Sequence, residues 1–327
     1  MAETLRGFFV GVWAMAKVWG VLLVMLAAWG TAAQADEHGR WQQPENNPSC
    51  SVWNDHPGHP DASETVTWTG DCVSGRADGI GSGVWRFLDG GEWRAIVYSG
   101  EMRDGKEHGR GVKVYAGGSR YEGDFRDGKQ HGHGVLEWGF DGEWAGDRYE
   151  GDWKDGKEHG RGVWVGANGD RYEGKYRDGK RHGRGVYVSA RGFRYEGEFR
   201  DHSFHGRGVI VFANGDRYEG EWKDDKEHGR GVFVFGPKSN WAGDRYEGDW
   251  KDGTRHGRGV YVWANGNKYD GDWQNGKLTG RGIMVWVSGG KCEGDWREGR
   301  LSGTGEGWKD GEFKKCYEDG NTIKFTD

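Results

Sequence analysis

Residues 172–194 read YEGKYRDGKRHGRGVYVSARGFR, and this stretch decides the fold. Tyr172 and Tyr176 stand at positions one and five of a short strand. Asp178-Gly179 then supplies a tight turn with positive backbone φ, and residues 183–188 form the return strand. One period of the sequence therefore predicts one β-hairpin.

The hairpin pattern recurs along about four fifths of the chain, mostly at intervals of 23 or 28 residues. We therefore predict an all-β protein, an elongated single-layer antiparallel β-meander or solenoid of about ten units and about twenty strands. Residues 68–314 form the repeat array, residues 36–67 an extended N-terminal segment, and residues 315–327 a partial repeat or cap. The marker glycines of the units are Gly70, Gly100, Gly123, Gly151, Gly174, Gly197, Gly220, Gly248, Gly271 and Gly294.

The composition excludes several other classes of protein. The 327 residues include 64 glycines, 20 tryptophans and 13 tyrosines but only 5 prolines, so the chain is neither collagen-like nor a long helix. Its mean hydropathy of −0.94 resembles that of a disordered chain, but disordered chains are poor in aromatic residues. We expect turn glycines to supply backbone torsions. Strand glycines (Gly174, Gly183 and Gly185) should leave space over which the rings of Tyr172 and Tyr176 lie flat.

The repeats resemble the membrane occupation and recognition nexus (MORN) repeat, whose pattern is YEGxWxxGxxxGxG. Residues 149–162 and 246–259 match this pattern closely. Departures are Trp68, Cys72, Met102 and Cys292 within strands, and His202 and Asp225 where a turn glycine is expected. The resemblance implies an antiparallel β-sheet used for protein–protein association, for self-assembly and, in some members, for lipid contact.

The N-terminus predicts export. The apolar run from Val18 to Gly30 follows Lys17 and precedes Ala33-Gln34-Ala35, so residues 1–35 form a signal peptide cleaved after Ala35. The exported protein would reside in the periplasm or outside the cell. The alternative is an uncleaved N-terminal membrane anchor, and translation could start at Met1 or at Met15.

Export would allow disulfide bonds to persist. We expect Cys50 to pair with Cys72 and Cys292 with Cys316, which closes one loop at each end of the array. Four cysteines allow three connectivities, and cross-pairing would require the two ends of a long solenoid to meet.

Charge argues against nucleic-acid binding, because 46 basic and 52 acidic residues are interspersed and the net charge is −6. An arginine column could meet acidic lipid headgroups, but neighbouring glutamates would largely cancel its field, so membrane contact is not favoured. Arginine occupies position thirteen and glutamate position two of successive units: Arg110, Arg161, Arg184, Arg207, Arg230, Arg258 and Arg281; Glu122, Glu150, Glu173, Glu196, Glu219 and Glu247.

Histidine recurs at position eleven of seven units. Neighbouring members of this column would lie about 10 Å apart, too far to share a metal ion. We favour a turn-flanking structural role, and a pH-responsive assembly surface is the alternative. The members are His108, His131, His159, His182, His205, His228 and His256.

Two units carry a five-residue insertion that contains the sequence WAGDR, with Trp144 and Trp241 as candidate partner-binding residues. We expect both loops at the same edge of the sheet, about 38 Å apart. Tryptophan is enriched at interface hot spots. The alternative is that each ring covers its own sheet or records a duplication of four units.

We identify no catalytic motif and expect no enzyme activity and no cofactor. After cleavage, the amine, the amide nitrogens and the imidazole of Asp36, Glu37 and His38 could bind Cu(II) or Ni(II) weakly in a square plane. The sequence thus predicts an exported, non-enzymatic scaffold that binds a protein partner or itself. The alternative is a module that binds glycans or lipid headgroups through exposed aromatic rings and the arginine column.

Overall fold

The computed structural model describes residues 39–55, 64–320 and 322–326. It contains strands and no helix over these residues, so the all-β meander of consecutive hairpins is confirmed. Nowhere in the described ranges is there a helix with the length and apolarity needed to cross a membrane. The predicted signal peptide, the alternative anchor and the Asp36-Glu37-His38 site all lie outside the described residues.

The chain divides into two compact units, one ending at Ala190 and the other continuing from Arg191. In the first unit, antiparallel pairing links successive strands, apart from a separate two-stranded sheet made of β1 and β2. Its strands are β1 (Arg40–Gln42), β2 (Val52–Asn54), β3 (Thr65–Trp68), β4 (Asp71–Val73), β5 (Arg76–Asp89), β6 (Glu92–Arg103), β7 (Lys106–Val114), β8 (Arg120–Arg126), β9 (Lys129–Glu137), β10 (Arg148–Lys154), β11 (Lys157–Val165), β12 (Arg171–Arg177) and β13 (Lys180–Val188).

The second unit repeats the same hairpin with the same register. Its strands are β14 (Arg194–Arg200), β15 (Ser203–Val211), β16 (Arg217–Lys223), β17 (Lys226–Val234), β18 (Arg245–Lys251), β19 (Thr254–Val262), β20 (Lys268–Gln274), β21 (Lys277–Val285), β22 (Lys291–Arg297), β23 (Arg300–Leu301), β24 (Thr304–Lys309), β25 (Glu312–Asp319) and β26 (Thr322–Phe325).

The turn inside each repeat, from Ser74-Gly75 to Glu298-Gly299, has two residues of positive φ, as the sequence predicts. In the turn between β12 and β13, φ is 52° at Asp178 and 81° at Gly179. Two positive φ values match the right-handed twist of the flanking strands. Aspartate tolerates the first position because its short side chain fits the left-handed region, and glycine fits the second at little steric cost.

Glycines inside the strands have two different roles. Gly174 and Gly185 face each other across β12 and β13, and a methyl group on Gly185 would lie 2.6 Å from a ring carbon of Tyr172. These two positions seat the tyrosine, as expected. The assignment of Gly183 to the same role is wrong: its φ is +63°, and an added methyl group would meet the Lys175 side chain instead of a ring.

Gly183 and its equivalents belong to a β-bulge. Between β10 and β11, Gly151 pairs with Gly162, but the next residue, Asp152, pairs with His159. The extra residues include Gly160, whose φ is +59°, and the Asp152 carboxylate accepts the backbone N–H of Arg161 at 2.9 Å. The bulge leaves the backbone N–H of Arg161 without a carbonyl partner on the neighbouring strand, and the carboxylate of Asp152, at position four, accepts it instead.

The N-terminal segment is not merely extended. Strands β1 and β2 pair with each other, and the Trp53 N–H donates to the Gly105 carbonyl at 2.7 Å. Arg76 and Lys106 lie over the rings of Trp41 and Trp53 at 4.2 and 4.7 Å. This small sheet is thus attached to the turns of the first hairpins.

Both expected cysteine pairs are present as disulfides. The Cα atoms of Cys50 and Cys72 lie 5.7 Å apart, and those of Cys292 and Cys316 lie 6.0 Å apart. Cys50–Cys72 ties the N-terminal sheet to β4, and Cys292–Cys316 joins β22 to β25. Both bonds act at irregular ends of the repeat pattern.

Candidate interaction surface

Within each compact unit, one face of the successive repeats carries a column of aromatic rings. The Tyr149 ring is buried, and its hydroxyl donates to the Asp152 carbonyl at 3.0 Å. The Trp153 ring stands edge-on to Tyr149 and to Tyr121 of the preceding hairpin, with centroids 5.1 and 5.3 Å apart. Successive hairpins are therefore joined by rings in the T-shaped geometry that aromatic pairs favour. The expectation that the rings of Tyr172 and Tyr176 both lie flat is therefore wrong, since their planes stand at 87° to each other.

The first and last repeats replace the tyrosine with chemically different groups. Trp68 is 1% exposed, and its indole N–H donates to the Asp71 carbonyl at 2.9 Å, the same offset of three residues that the tyrosines use. Cys292 replaces the tyrosine in the tenth unit and forms the disulfide with Cys316 instead. These departures from the motif therefore preserve a buried group over the paired glycines.

Buried aspartates connect the loops of successive repeats. Asp170 is 5% exposed and accepts hydrogen bonds from the Tyr187 hydroxyl at 2.6 Å and the Ala190 N–H at 2.8 Å. The signal for this role in the sequence is the recurring GDRYEG pattern, which was not among the predicted site residues. The equivalent acceptor–donor pairs are Asp147 with Ala167, Asp216 with Gly236 and Asp244 with Ala264.

The opposite face carries exposed ion pairs. Each glutamate of the position-two column pairs with the arginine two residues before it, for example Glu173 with Arg171 at 2.6 Å. Members of the position-thirteen arginine column also reach carboxylates, such as Arg230 with Asp249 at 3.3 Å. Each exposed pair contributes at most about 1 kcal/mol. The charge columns therefore interleave as expected, and positive charge is locally offset.

The histidine column lies beside hairpin turns. The Nδ1 atom of His131 is 3.5 Å from the carboxylate of Asp155, the turn residue of the next hairpin. The Asp155 N–H donates to the same nitrogen at 3.4 Å. This arrangement supports the structural interpretation, and the pH-responsive surface stays a prediction. The other pairs are His108 with Asp127, His159 with Asp178, His205 with Asp224 and His228 with Asp252.

The two inserted loops differ in the exposure of their tryptophans. Trp144 is 50% exposed, and Phe140 in the same loop is 77% exposed. Trp241 is half-buried, and its ring packs against Phe235 with centroids 5.8 Å apart. Trp144 therefore presents its ring outward, whereas Trp241 packs against Phe235, and the partner-binding role of both stays a prediction.

Position ten of the repeat, just before the histidine, faces the aromatic column and varies in charge. Glu107 is buried and pairs with the Lys113 ammonium at 2.8 Å, while Asp55 lies 3.4 Å from the same ammonium. Burial disfavours the charged lysine, but the two carboxylates raise its pKa above the ordinary value. Position ten holds Glu107, Gln130, Glu158, Arg181, Phe204, Glu227, Arg255 and Leu278 in successive units.

Arginine at position ten lies among aromatic rings. The Arg255 guanidinium carbon lies 4.6 Å from the ring centre of Trp273, 5.1 Å from that of Tyr261 and 5.8 Å from that of Tyr246. Its Nη2 atom also donates to the Gly276 carbonyl at 3.2 Å. Three rings and a carbonyl thus form a site for a cation on this face. Position ten was not predicted as a site, because its residue type changes from unit to unit.

No group of three or more His, Cys, Asp or Glu side chains in the described ranges converges in a way that could hold a metal ion. A depression in the unit ending at Ala190 is open, with a volume of about 400 Å³, and includes His131, Trp153 and His159 in its lining. The surface of the described residues thus offers open faces and loops as candidate sites.

Comparisons with solved structures find remote likenesses. The TCP domain of Drosophila melanogaster SAS-4 (dCPAP), in complex with a proline-rich motif of Ana2 (dSTIL), is 13% identical with a TM-score of 0.31, and covers 49% of this chain and 84% of that chain. A mutant TCP10 domain of Danio rerio CPAP is 15% identical with a TM-score of 0.35, and covers 66% of this chain and 98% of that chain. At TM-scores this low, the likenesses bear on neither fold nor function.

No curated protein matches the chain. The profile of the MORN repeat matches residues 98–120, 121–139, 149–171, 172–194, 195–217, 218–239, 246–268, 269–291 and 292–306. These nine consecutive segments include the hairpins whose tyrosine, tryptophan and glycine positions form the aromatic column. The chain therefore belongs to the MORN repeat family.

Proposed function

We propose that this protein is an exported, non-enzymatic scaffold that binds a protein partner or itself. The observation that carries the proposal is the loop of residues 139–147, where the Phe140 and Trp144 side chains are 77% and 50% exposed. Large aromatic side chains exposed together mark interaction sites more often than unspecialised surface. The N-terminal pattern of residues 1–35 supports export.

The loop is held in place by the repeats beside it. The Phe140 N–H donates to the Gly117 carbonyl at 3.2 Å, and Arg94 binds the Asp141 carboxylate at 3.1 Å. At the base of the loop, the Trp138 N–H donates to the Asp147 carbonyl at 2.9 Å. A loop ordered before binding loses less conformational entropy on association, which favours its use as a binding element.

The test compares the two tryptophan loops. We expect Phe140→Ser combined with Trp144→Ala to abolish partner capture from an envelope extract, or self-association in light scattering, while the unfolding midpoint stays unchanged. The matched control is Trp241→Ala, which should retain capture but lower stability by about 1–2 kcal/mol because it removes a ring that packs on Phe235.

Equal capture by the double variant and the wild type would contradict the proposal. The competing function, a glycan- or lipid-headgroup-binding module, has support from the same exposed rings and from arginines such as Arg110, whose side chain is 89% exposed. It would be favoured if neither capture nor self-association occurred and the double variant lost binding to purified glycans or anionic liposomes.

A further inference from the structure

We propose that Glu158 and Glu227, each set among aromatic rings at position ten of its repeat, are binding sites for lysine side chains of a basic partner polypeptide. This proposal rests on the scaffold function proposed above and names the chemistry of the partner. Three observations support it. The two carboxylates have no counter-charge, aromatic rings surround them, and other repeats of the same chain hold a cation at the equivalent place.

The two carboxylates lack a cationic partner. Burial, opposed only by a hydrogen bond from the residue's own backbone N–H, raises the pKa of each carboxyl above its ordinary value, to about 7 for Glu227. No cation among the described residues contributes to either shift. Both side chains are half-buried, so solvent and ligands can still reach them. A half-buried carboxylate without a counter-charge is costly to the fold and favourable for binding a cation.

The rings around Glu227 match those that hold a cation at Arg255. Around Arg255, Trp273 lies 5.2 Å from Tyr246 and 6.0 Å from Tyr261, at interplanar angles of 80° and 36°. Around Glu227, the corresponding ring, Trp250, lies 5.2 Å from that of Tyr218 and 6.1 Å from that of Phe233, at 81° and 37°. The ring frame is therefore the same, but a glutamate stands in place of the arginine.

Glutamate is shorter than arginine and does not extend over the rings as far as a guanidinium does. An incoming ammonium would meet both the carboxylate and the negative faces of the rings, two attractions that reinforce each other. Glu158 has a comparable setting, since it pairs across the strands with Trp153, and the rings of Tyr149 and Tyr176 lie 5.1 Å apart beside it.

The chain itself shows which group a carboxylate at position ten binds. Glu107 is paired with the Lys113 ammonium at 2.8 Å. Lys113 occupies position sixteen, where the repeats of Glu158 and Glu227 have Trp164 and Phe233 instead. Those two repeats therefore keep the carboxylate and lack the internal lysine, so a lysine from another polypeptide would complete the same pair.

The test is calorimetric titration of the wild-type protein with a short peptide of alternating lysine and glycine at physiological salt. The double variant Glu158→Gln/Glu227→Gln should bind the peptide about tenfold more weakly. The matched control, Glu173→Gln/Glu219→Gln, removes two carboxyl groups from the opposite face and should bind like the wild type. The peptide with acetylated lysines should not bind measurably.

Equal weakening in both double variants would show that only net charge matters and would overturn the proposal, as would the absence of binding to the wild type. The variants should remain folded, because glutamine keeps the side-chain shape and removes a half-buried carboxyl group without a counter-charge; circular dichroism checks this. Partner capture tests the scaffold function separately. If the protein captures a partner but does not bind the lysine peptide, only the proposed lysine sites are rejected. If it binds the peptide but captures no partner, only the scaffold function is rejected.

Discussion

At the residue scale, His202 and Asp225 hold backbone conformations that neighbouring hairpins give to glycine. Their φ values are +74° and +65°, and each follows a turn aspartate that also has positive φ. A side chain in the left-handed region costs about 1–2 kcal/mol unless local hydrogen bonds compensate it. Asp225 has such a bond, since its carboxylate accepts the Phe204 N–H at 2.7 Å. The two turns therefore share a conformation, and the Asp225 carboxylate stabilises the second of them.

His202→Gly should raise the free energy of unfolding by about 0.5–1 kcal/mol, because glycine relieves the torsional cost but loses more chain entropy on folding. Urea denaturation measures the change. Asp225→Gly serves as the comparison, in which the loss of the hydrogen bond to Phe204 should offset much of the torsional relief. A lower stability of His202→Gly than of the wild type would refute this account.

Glu227 should make stability depend on pH. Its folded pKa of about 7 lies above the ordinary value of 4.5, so the folded state binds the proton more tightly than the unfolded state does. The part of the free energy of unfolding that depends on Glu227 is therefore fully retained below about pH 4.5 and is lost as the pH rises through about 7. Glu227→Gln should therefore be more stable than the wild type by about 3 kcal/mol at pH 8, and nearly equal to it at pH 4.

Chemical denaturation at the two pH values measures this difference. Glu219→Gln, on the opposite face and paired with Arg217, is the control and should show no comparable gain at pH 8. A gain for Glu227→Gln that is the same at pH 4 and pH 8 would show that the carboxyl is not the titrating group.

At the scale of the hairpin, the tyrosine and the two facing glycines act as one packing unit. Tyr149 is 1% exposed because its ring covers Gly151 and Gly162, which pair across the strands. Neither glycine has space for a side chain: a methyl group on Gly151 would lie 2.7 Å from the Tyr149 hydroxyl oxygen and 2.5 Å from the Gly162 Cα. The motif thus needs both glycines because there is no space for a side chain, and not because of their backbone torsion angles.

Gly162→Ala should lower the free energy of unfolding by about 1–3 kcal/mol, because the added methyl group would lie 2.5 Å from ring carbons of Tyr149. Thermal unfolding measures the loss. Gly290→Ala is the control, since its methyl group would contact Trp286 at an ordinary 3.5 Å. Equal effects of the two substitutions would mean that the ring can move away freely.

The sequence predicts the hairpin well but not every residue within it. The period and the turn dipeptides such as Asp178-Gly179 are local signals, and the structure contains both. The role of Gly183 could not be predicted, because only the strand register distinguishes a bulge glycine from Gly185 two residues later. Position ten was missed for a related reason: the environment of Glu227 depends on rings from three strands that lie apart in sequence.

At the scale of the whole molecule, the irregular ends are closed by covalent bonds. Cys50–Cys72 attaches the small N-terminal sheet, whose backbone also pairs with the first hairpins: the Ala77 N–H donates to the Ser51 carbonyl at 2.9 Å. A repeat protein gains stability from nearest neighbours, so a repeat at an end lacks one stabilising interface. The N-terminal sheet supplies such an interface.

Cys50→Ser/Cys72→Ser should lower the free energy of unfolding by about 3 kcal/mol, in line with a closed loop of this size. Hydrogen exchange should show where the loss occurs, with the Trp53 and Ala77 amides exchanging faster and those of central repeats such as Glu150 unchanged. Unchanged protection at Trp53 and Ala77 would show that hydrogen bonds alone hold the N-terminal sheet.

The aspartates between successive loops have a consequence for how such a chain can evolve. Asp147 and Asp244 follow inserted loops, yet each still accepts the N–H of an alanine twenty residues later, at 2.8 Å. The bond thus depends on the downstream repeat and not on the length of the loop before it. If the gene gains or loses one whole repeat, each remaining aspartate still meets an equivalent backbone N–H in the repeat that follows it. The number of repeats can therefore change by recombination without further substitutions where the repeats join.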